Sequence, residues 1–187
     1  MNELRTQIYR IHDVDCNQKY ADTLPYSFHL KVVRAQGEKF IRLVKYEYIT
    51  NPQNKQARYV SSHSVVEAAL DGHDLIEDGR QTYNDLIDLG DYFGNYTAAV
   101  MFADIVYAVT DEKGKSRSER KSDKYYQELS ENKLAIFVKL ADIAANTLFS
   151  KLTGSSMYTK YKSEFAHVKE KLYIEEYKEF FDYIENL

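Results

Sequence analysis

The sequence predicts an all-α fold. Its 187 residues include only two prolines and seven glycines, too few for a turn-rich all-β chain. Apolar residues recur at helical intervals in one segment after another. Between those segments lie residues suited to starting or stopping a helix.

Residues 3 to 20 read as a first helix, with Leu4, Ile8 and Ile11 near one face. A break over 21–25 follows, and Pro25 suits the start of a second helix. That helix, 26 to 48, carries Phe28, Val32, Val33, Phe40, Ile41 and Val44. Residues 50 to 57 are a loop by composition. A third helix covers 58 to 78, with Gly79 as its C-cap. Thr82 and Asp85 have the spacing of a capping box, opening a short helix bracketed at its exit by Gly90 and Gly94. Residues 95 to 109 are strongly apolar and read as a buried helix. The stretch 123 to 131 is a short helix and 132 to 149 a long apolar one. Two more helices, 155–172 and 174–186, close the chain. No repeat or linker divides it, so residues 1–187 are expected to form a single domain with a sizeable core.

Composition removes several function classes. The formal charge of −4 argues against a general nucleic-acid binder, whose footprint is basic. A lone cysteine, Cys16, excludes an internal disulfide framework and a cysteine-based zinc site, and suits a reducing cytoplasm. The polar N-terminus has no apolar stretch of a signal peptide behind it. No run approaches the roughly 20 apolar residues of a membrane span, so a soluble cytoplasmic protein is expected. The seventeen tyrosines sit largely at helical spacing, where core and boundary roles are commonest.

The densest chemistry lies in residues 68–79, where His73 and Asp74 precede Glu77 and Asp78. On a helix, residues four apart share a face, which sets His73 beside Glu77 and Asp74 beside Asp78. A bound cation would offset the repulsion among such close carboxylates. An exposed acidic helix end with a fortuitous histidine fits the same twelve residues. His29, in the first turn of the second helix, reads on its own as a surface or boundary histidine more often than as a ligand. Asp142 stands inside the apolar run 135–144, where burial is costly unless the carboxylate is paired or bound to metal. Residues 110–122 hold no apolar side chain and five basic ones; they suit a solvated loop or a local anion site. His63 and His167 have no comparable context and read as structural or surface residues.

The order His29, His73-Asp74, Asp142 is the H…HD…D order of the HD phosphohydrolase superfamily. Around each element the chain resembles one branch, the hydrolase domain of RelA/SpoT proteins and the small alarmone hydrolases. Pro25-Tyr26 with His29 is similar to the family's Pro-Tyr-x-x-His, and the run from His73 to Asp78 to its His-Asp-x-x-Glu-Asp. Phe93-Gly94, the run from Val109 to Lys113, and Glu119-Arg120-Lys121 resemble further family segments. Val138-Lys139-Leu140-Ala141-Asp142 with Asn146 is similar to Val-Lys-Leu-Ala-Asp-x-x-x-Asn. These matches run in order over about residues 17 to 165.

The resemblance implies an all-α HD-domain bundle with one divalent metal, usually manganese, held between helices by His29, His73, Asp74 and Asp142. It implies that Glu77 and Asp78 position and activate the attacking water. The family reaction removes the 3′-pyrophosphate of guanosine tetra- or pentaphosphate, a small-molecule nucleotide substrate. By the same resemblance Lys19, Arg117 and Arg120 contact substrate, Asn146 makes a polar contact in the nucleotide pocket, and a basic residue at Lys160 or Lys162 completes the phosphate site. The chemistry agrees: two imidazoles and two carboxylates suit a borderline or hard divalent ion and leave positions open.

Three features depart from the family. Asp71-Gly72 replaces the usual Leu-Leu, Ile143-Ala144-Ala145 replaces basic and bulky residues, and the stretch from His29 to His73 is longer than in compact members. The second and third leave room for an HD phosphohydrolase acting on another nucleotide. A non-catalytic nucleotide-binding module is a further alternative, against which the intact Glu77-Asp78 pair stands.

Overall fold

The computed structural model describes residues 2–111 and 121–187. The chain is mostly helical. Helix α1 spans Asn2–Arg10, α2 Tyr26–Phe40, α3 Ser62–Gly72, α4 Tyr83–Gly90 and α5 Tyr96–Val109. After the segment outside the described residues come α6 (Asp123–Ser130), α7 (Lys133–Thr153), α8 (Met157–Leu172) and α9 (Lys178–Asn186). Helix α7 is the axis of the fold: α2, α3, α5, α6, α8 and α9 all pack against it. Its sequence explains this, because Ala135, Ile136, Phe137, Val138, Leu140, Ala141, Ala144 and Ala145 are fully buried. No helix among the described residues is long and apolar enough to cross a membrane.

Capping chemistry fixes several boundaries. Thr82 and Asp85 form both hydrogen bonds of a capping box at the start of α4. Asn95, Ser122 and Asn132 accept backbone N–H groups at the starts of α5, α6 and α7. Helix α7 runs past the expected 149 to Thr153 and stops where Gly154 takes the left-handed conformation.

Three expected helices are shorter. The first ends at Arg10, passes through a single π turn at Ile11–Asp15, and gives way to a two-residue strand, β1 (Lys19–Tyr20). That strand pairs antiparallel with β2 (Leu24–Pro25), after which Pro25 leads into α2. The second helix stops at Phe40, followed by a 3-10 turn at Ile41–Leu43. A second ribbon, β3 (Tyr48–Ile49) with β4 (Val60–Ser61), occupies part of the stretch read as loop and helix. The third helix ends at Gly72, and residues 73–78 form a succession of turns. Gly79 is not a left-handed cap; that conformation falls on Arg80 (φ 57°). Gly79 answers a different need, because a Cβ there would lie 2.7 Å from the carbonyl oxygen of Leu75.

The departures at 71–72 have a structural reason. The Asp71 side chain is almost fully buried and receives Arg34 Nη1 at 2.6 Å, Tyr9 Oη at 2.9 Å and Arg5 Nε at 3.1 Å. Arg34 also donates to Glu38 and Glu67, so one network ties α1, α2 and α3 together. A carboxylate where the resemblance expects leucine is thus matched by two guanidinium groups and a phenol. Helices α2 and α3 also cross unusually closely, since a Cβ on Gly37 would lie 2.5 Å from Leu70 Cδ1. That crossing brings His29 toward His73.

Candidate metal centre

Three elements bring three donors together, with a fourth, Asp142, beside two of them. His29 lies in the first turn of α2, His73 and Asp74 directly follow α3, and Asp142 lies midway along α7. One donor atom from each of His29, His73 and Asp74 lies within 4.8 Å of the others. Nε2 of His29 is 3.7 Å from Asp74 Oδ2 and 3.5 Å from Asp142 Oδ1. Nε2 of His73 is 3.0 Å from Asp74 Oδ2 and 3.7 Å from Asp142 Oδ1. Both histidines are buried.

Neighbouring groups orient these donors. His73 Nδ1 sits 3.2 Å from the carbonyl of Leu70; donating there leaves Nε2 with its lone pair toward the carboxylates. His73 Nε2 is buried and makes no hydrogen bond among the described residues. His29 is stacked on Tyr20, ring centroids 4.7 Å apart. Tyr20 Oη donates to Asn146 Oδ1 at 3.0 Å, and Asn146 Nδ2 donates to Asp142 Oδ1 at 2.6 Å. Tyr26 Oη lies 2.5 Å from Asp74 Oδ2 and 3.0 Å from Asp78 Oδ2, so its one proton serves either carboxylate. The Tyr26 ring is itself stacked on the buried His12, at 4.9 Å. His12 lies in the π turn, a distortion that recurs at functional sites.

The electrostatics draw positive charge to this point. Burial pushes the pKa of His73 down, but Asp74 and Asp142 outweigh it and bring it to about 10. Burial likewise works against both carboxylates. His73 nevertheless holds Asp74 below the usual carboxylate range, and His29, His73 and Lys139 hold Asp142 well below it. Lys139 Nζ lies 3.7 Å from Asp142 Oδ2 and 3.6 Å from Asp111 Oδ1. A proton or a divalent cation meets the same demand, and two neutral imidazoles with two carboxylates form a donor set suited to the latter.

The spacing predicts Glu77 and Asp78 on one continuous helix with His73 and Asp74, but residues 73–78 are turns. The backbone still turns as a helix would, because Asp78 N–H donates to Asp74 O at 2.8 Å. Tyr26 links Asp78 to Asp74 directly. The pKa of Glu77 is raised, by burial of its carboxyl first and then by Asp111 and Asp74, with Lys139 opposing. Both acids therefore adjoin the donors.

No protein-family model, curated protein or solved structure matches the chain. The site stands on its own geometry.

The expected substrate contacts divide. Asn146 lines a small cavity of about 30 Å³ beside Asp142, with Ile143, Tyr161 and Phe165, but its amide is already engaged by Asp142 and Tyr20. Such a space holds about one water molecule. Lys19 is exposed on β1, opposite Pro25. Arg117 and Arg120 lie outside the described residues. Lys162 does not join the centre: its ammonium donates to the carbonyls of Ile184 and Glu185 at the end of α9. Lys160 is exposed on α8. Sequence reasoning assigns no role to His12, Tyr20, Tyr26 or Lys139. Of these, Lys139 carries a readable signal, a lysine inside an apolar helical run one turn before Asp142.

Proposed function

We propose that the chain is a metal-dependent phosphohydrolase acting on nucleotide pyrophosphates of the alarmone type, in the manner of the RelA/SpoT hydrolase domains it resembles. The observation that carries this reading is the close set of His29, His73 and Asp74, with Asp142 beside both imidazoles and Glu77 and Asp78 adjoining. A divalent ion held by these four, manganese by the resemblance, would acidify a bound water and polarise a phosphoryl oxygen. The chain's own residues supply the rest. His73, fixed by Leu70, and Asp142, fixed by Asn146, present pre-oriented donor atoms. Glu77, whose raised pKa makes it the more basic of ordinary carboxylates, is suited to accept the proton of the attacking water. Asp78 is held against Asp74 by the Tyr26 phenol, which burial and both carboxylates keep protonated.

One observation favours a second nucleotide substrate for the same chemistry. Of the three residues that depart from the family at 143–145, Ala144 and Ala145 are buried in the core, and only Ile143 faces the cavity beside Asn146. Ile143 offers no charge to a phosphate where the resemblance expects basic and bulky residues.

The test is hydrolysis by metal-stripped protein resupplied with manganese, over guanosine tetraphosphate and a panel of nucleoside mono- and triphosphates. Manganese-dependent release of pyrophosphate from guanosine tetraphosphate is expected. Orthophosphate from another nucleotide would overturn the substrate and keep the chemistry; no turnover on any of them would overturn the enzyme reading. Tyr26→Phe should weaken manganese binding roughly 10–100-fold, the usual cost of losing a partner behind a ligand, as read by calorimetric titration. Wild-type affinity in that variant would make the phenol contact incidental.

A further inference from the structure

Asp142 divides its two carboxylate oxygens between two neighbourhoods, one of imidazoles and one of an ammonium. Oδ1 faces the imidazoles of His29 and His73, at 3.5 and 3.7 Å, and takes the Asn146 amide. Oδ2 faces the ammonium of Lys139 at 3.7 Å. This is how a carboxylate bridges a two-metal centre, one oxygen to each ion, with the ions about 3.5–4 Å apart. On the Lys139 side the surroundings are those of a second cation site. Asp111, with its side chain 9% exposed, turns Oδ1 toward the ammonium at 3.6 Å, and that oxygen has no hydrogen bond among the described residues. Glu77 lies within electrostatic reach of both Asp111 and Lys139. The ammonium meets both carboxylates beyond hydrogen-bond distance, as a point charge held among them by attraction, and lies over the Tyr125 ring, 6.0 Å from its centroid.

We propose that Lys139 is a built-in second cation, occupying the place of a second metal ion and limiting the centre to one. The inference rests on the metal-centre reading given above. An ammonium and a divalent ion cannot share one carboxylate-lined position, because each is excluded by the volume and the charge of the other. The consequence for the reaction is chemical. A two-metal centre can hold its nucleophile between its ions, whereas this one places a fixed single charge opposite the ion. Deprotonation of water then falls to Glu77 and Asp78.

The test counts manganese on the metal-stripped full-length protein, by titration with elemental analysis and by electron paramagnetic resonance. Wild type should bind one ion per chain, with the spectrum of isolated manganese up to millimolar concentrations. Lys139→Ala should bind two, and Lys139→Ala with Asp111→Asn should return to one. Lys139→Met, which keeps most of the stem without the charge, gives the same comparison if the alanine variant fails to fold; it should take up a second ion more weakly. A folded Lys139 variant that still binds one ion would overturn the proposal and leave the metal centre standing. A spin-coupled pair in the wild type would overturn it without any variant. No manganese bound by the wild type would remove the metal-centre reading and the proposal together.

Discussion

Asp142→Asn should lose bound manganese and turnover together, each by at least about 100-fold, more than the loss of a partner behind a ligand costs. The carboxylate oxygens of Asp142 face His29, His73 and Lys139, and the substitution removes the charge that all three answer. An amide also turns one end into a donor, which an ammonium cannot accept and a metal ion cannot use as a ligand. Glu77→Gln should behave differently. It leaves the four donors in place, so manganese content should stay near wild type while turnover falls about 100-fold or more, as for a lost general base. Elemental analysis beside steady-state rates separates the two variants. If Glu77→Gln kept wild-type rates, the proton acceptor would have to be another group; if Asp142→Asn kept its manganese, the donor set would be wrong.

Arg34→Met should destabilise the fold by about 3 kcal/mol, because it removes the shortest partner of the buried Asp71 carboxylate. For a chain of this length that amounts to a fall of roughly 6–12 °C in Tm. Asp71→Leu added to Arg34→Met should recover most of the loss. It deletes the charge that Arg34→Met leaves underpaired and restores the apolar residue that the resemblance expects. Thermal melts of the two variants check this. A double variant no more stable than Arg34→Met alone would mean that the network acts through something other than burial of charge. Neither residue touches the metal centre, so both variants should keep their manganese stoichiometry.

The sequence made the donors legible for a physical reason. A carboxylate such as Asp142 inside an apolar helical run announces a partner, and His73-Asp74 followed by Glu77-Asp78 concentrates charge that needs one. What surrounds them was not legible, because Tyr26 meets Asp74 across 48 residues and Arg5 meets Asp71 across 66. The all-α class was readable from periodicity, but the two ribbons have strands of two residues, too short to print an alternation. The end of α3 at Gly72 was hidden by the same rule that revealed the site. Turns in which Asp78 N–H bonds Asp74 O keep the four-residue spacing of a helix without being one.

Gly37 gives the centre a dimension that none of its donors controls. It sits two turns along α2 from His29, where the helix meets Leu70, and Leu70 in turn holds His73 through its carbonyl. The packing of α2 on α3 beside the two imidazoles therefore leaves room for only a hydrogen atom at that crossing. A side chain at that position would press on the Leu70 methyls, and through them on the turn that carries His73. On the proposed metal reading, the fit of an ion would then depend on a residue that is no ligand, with every donor unchanged.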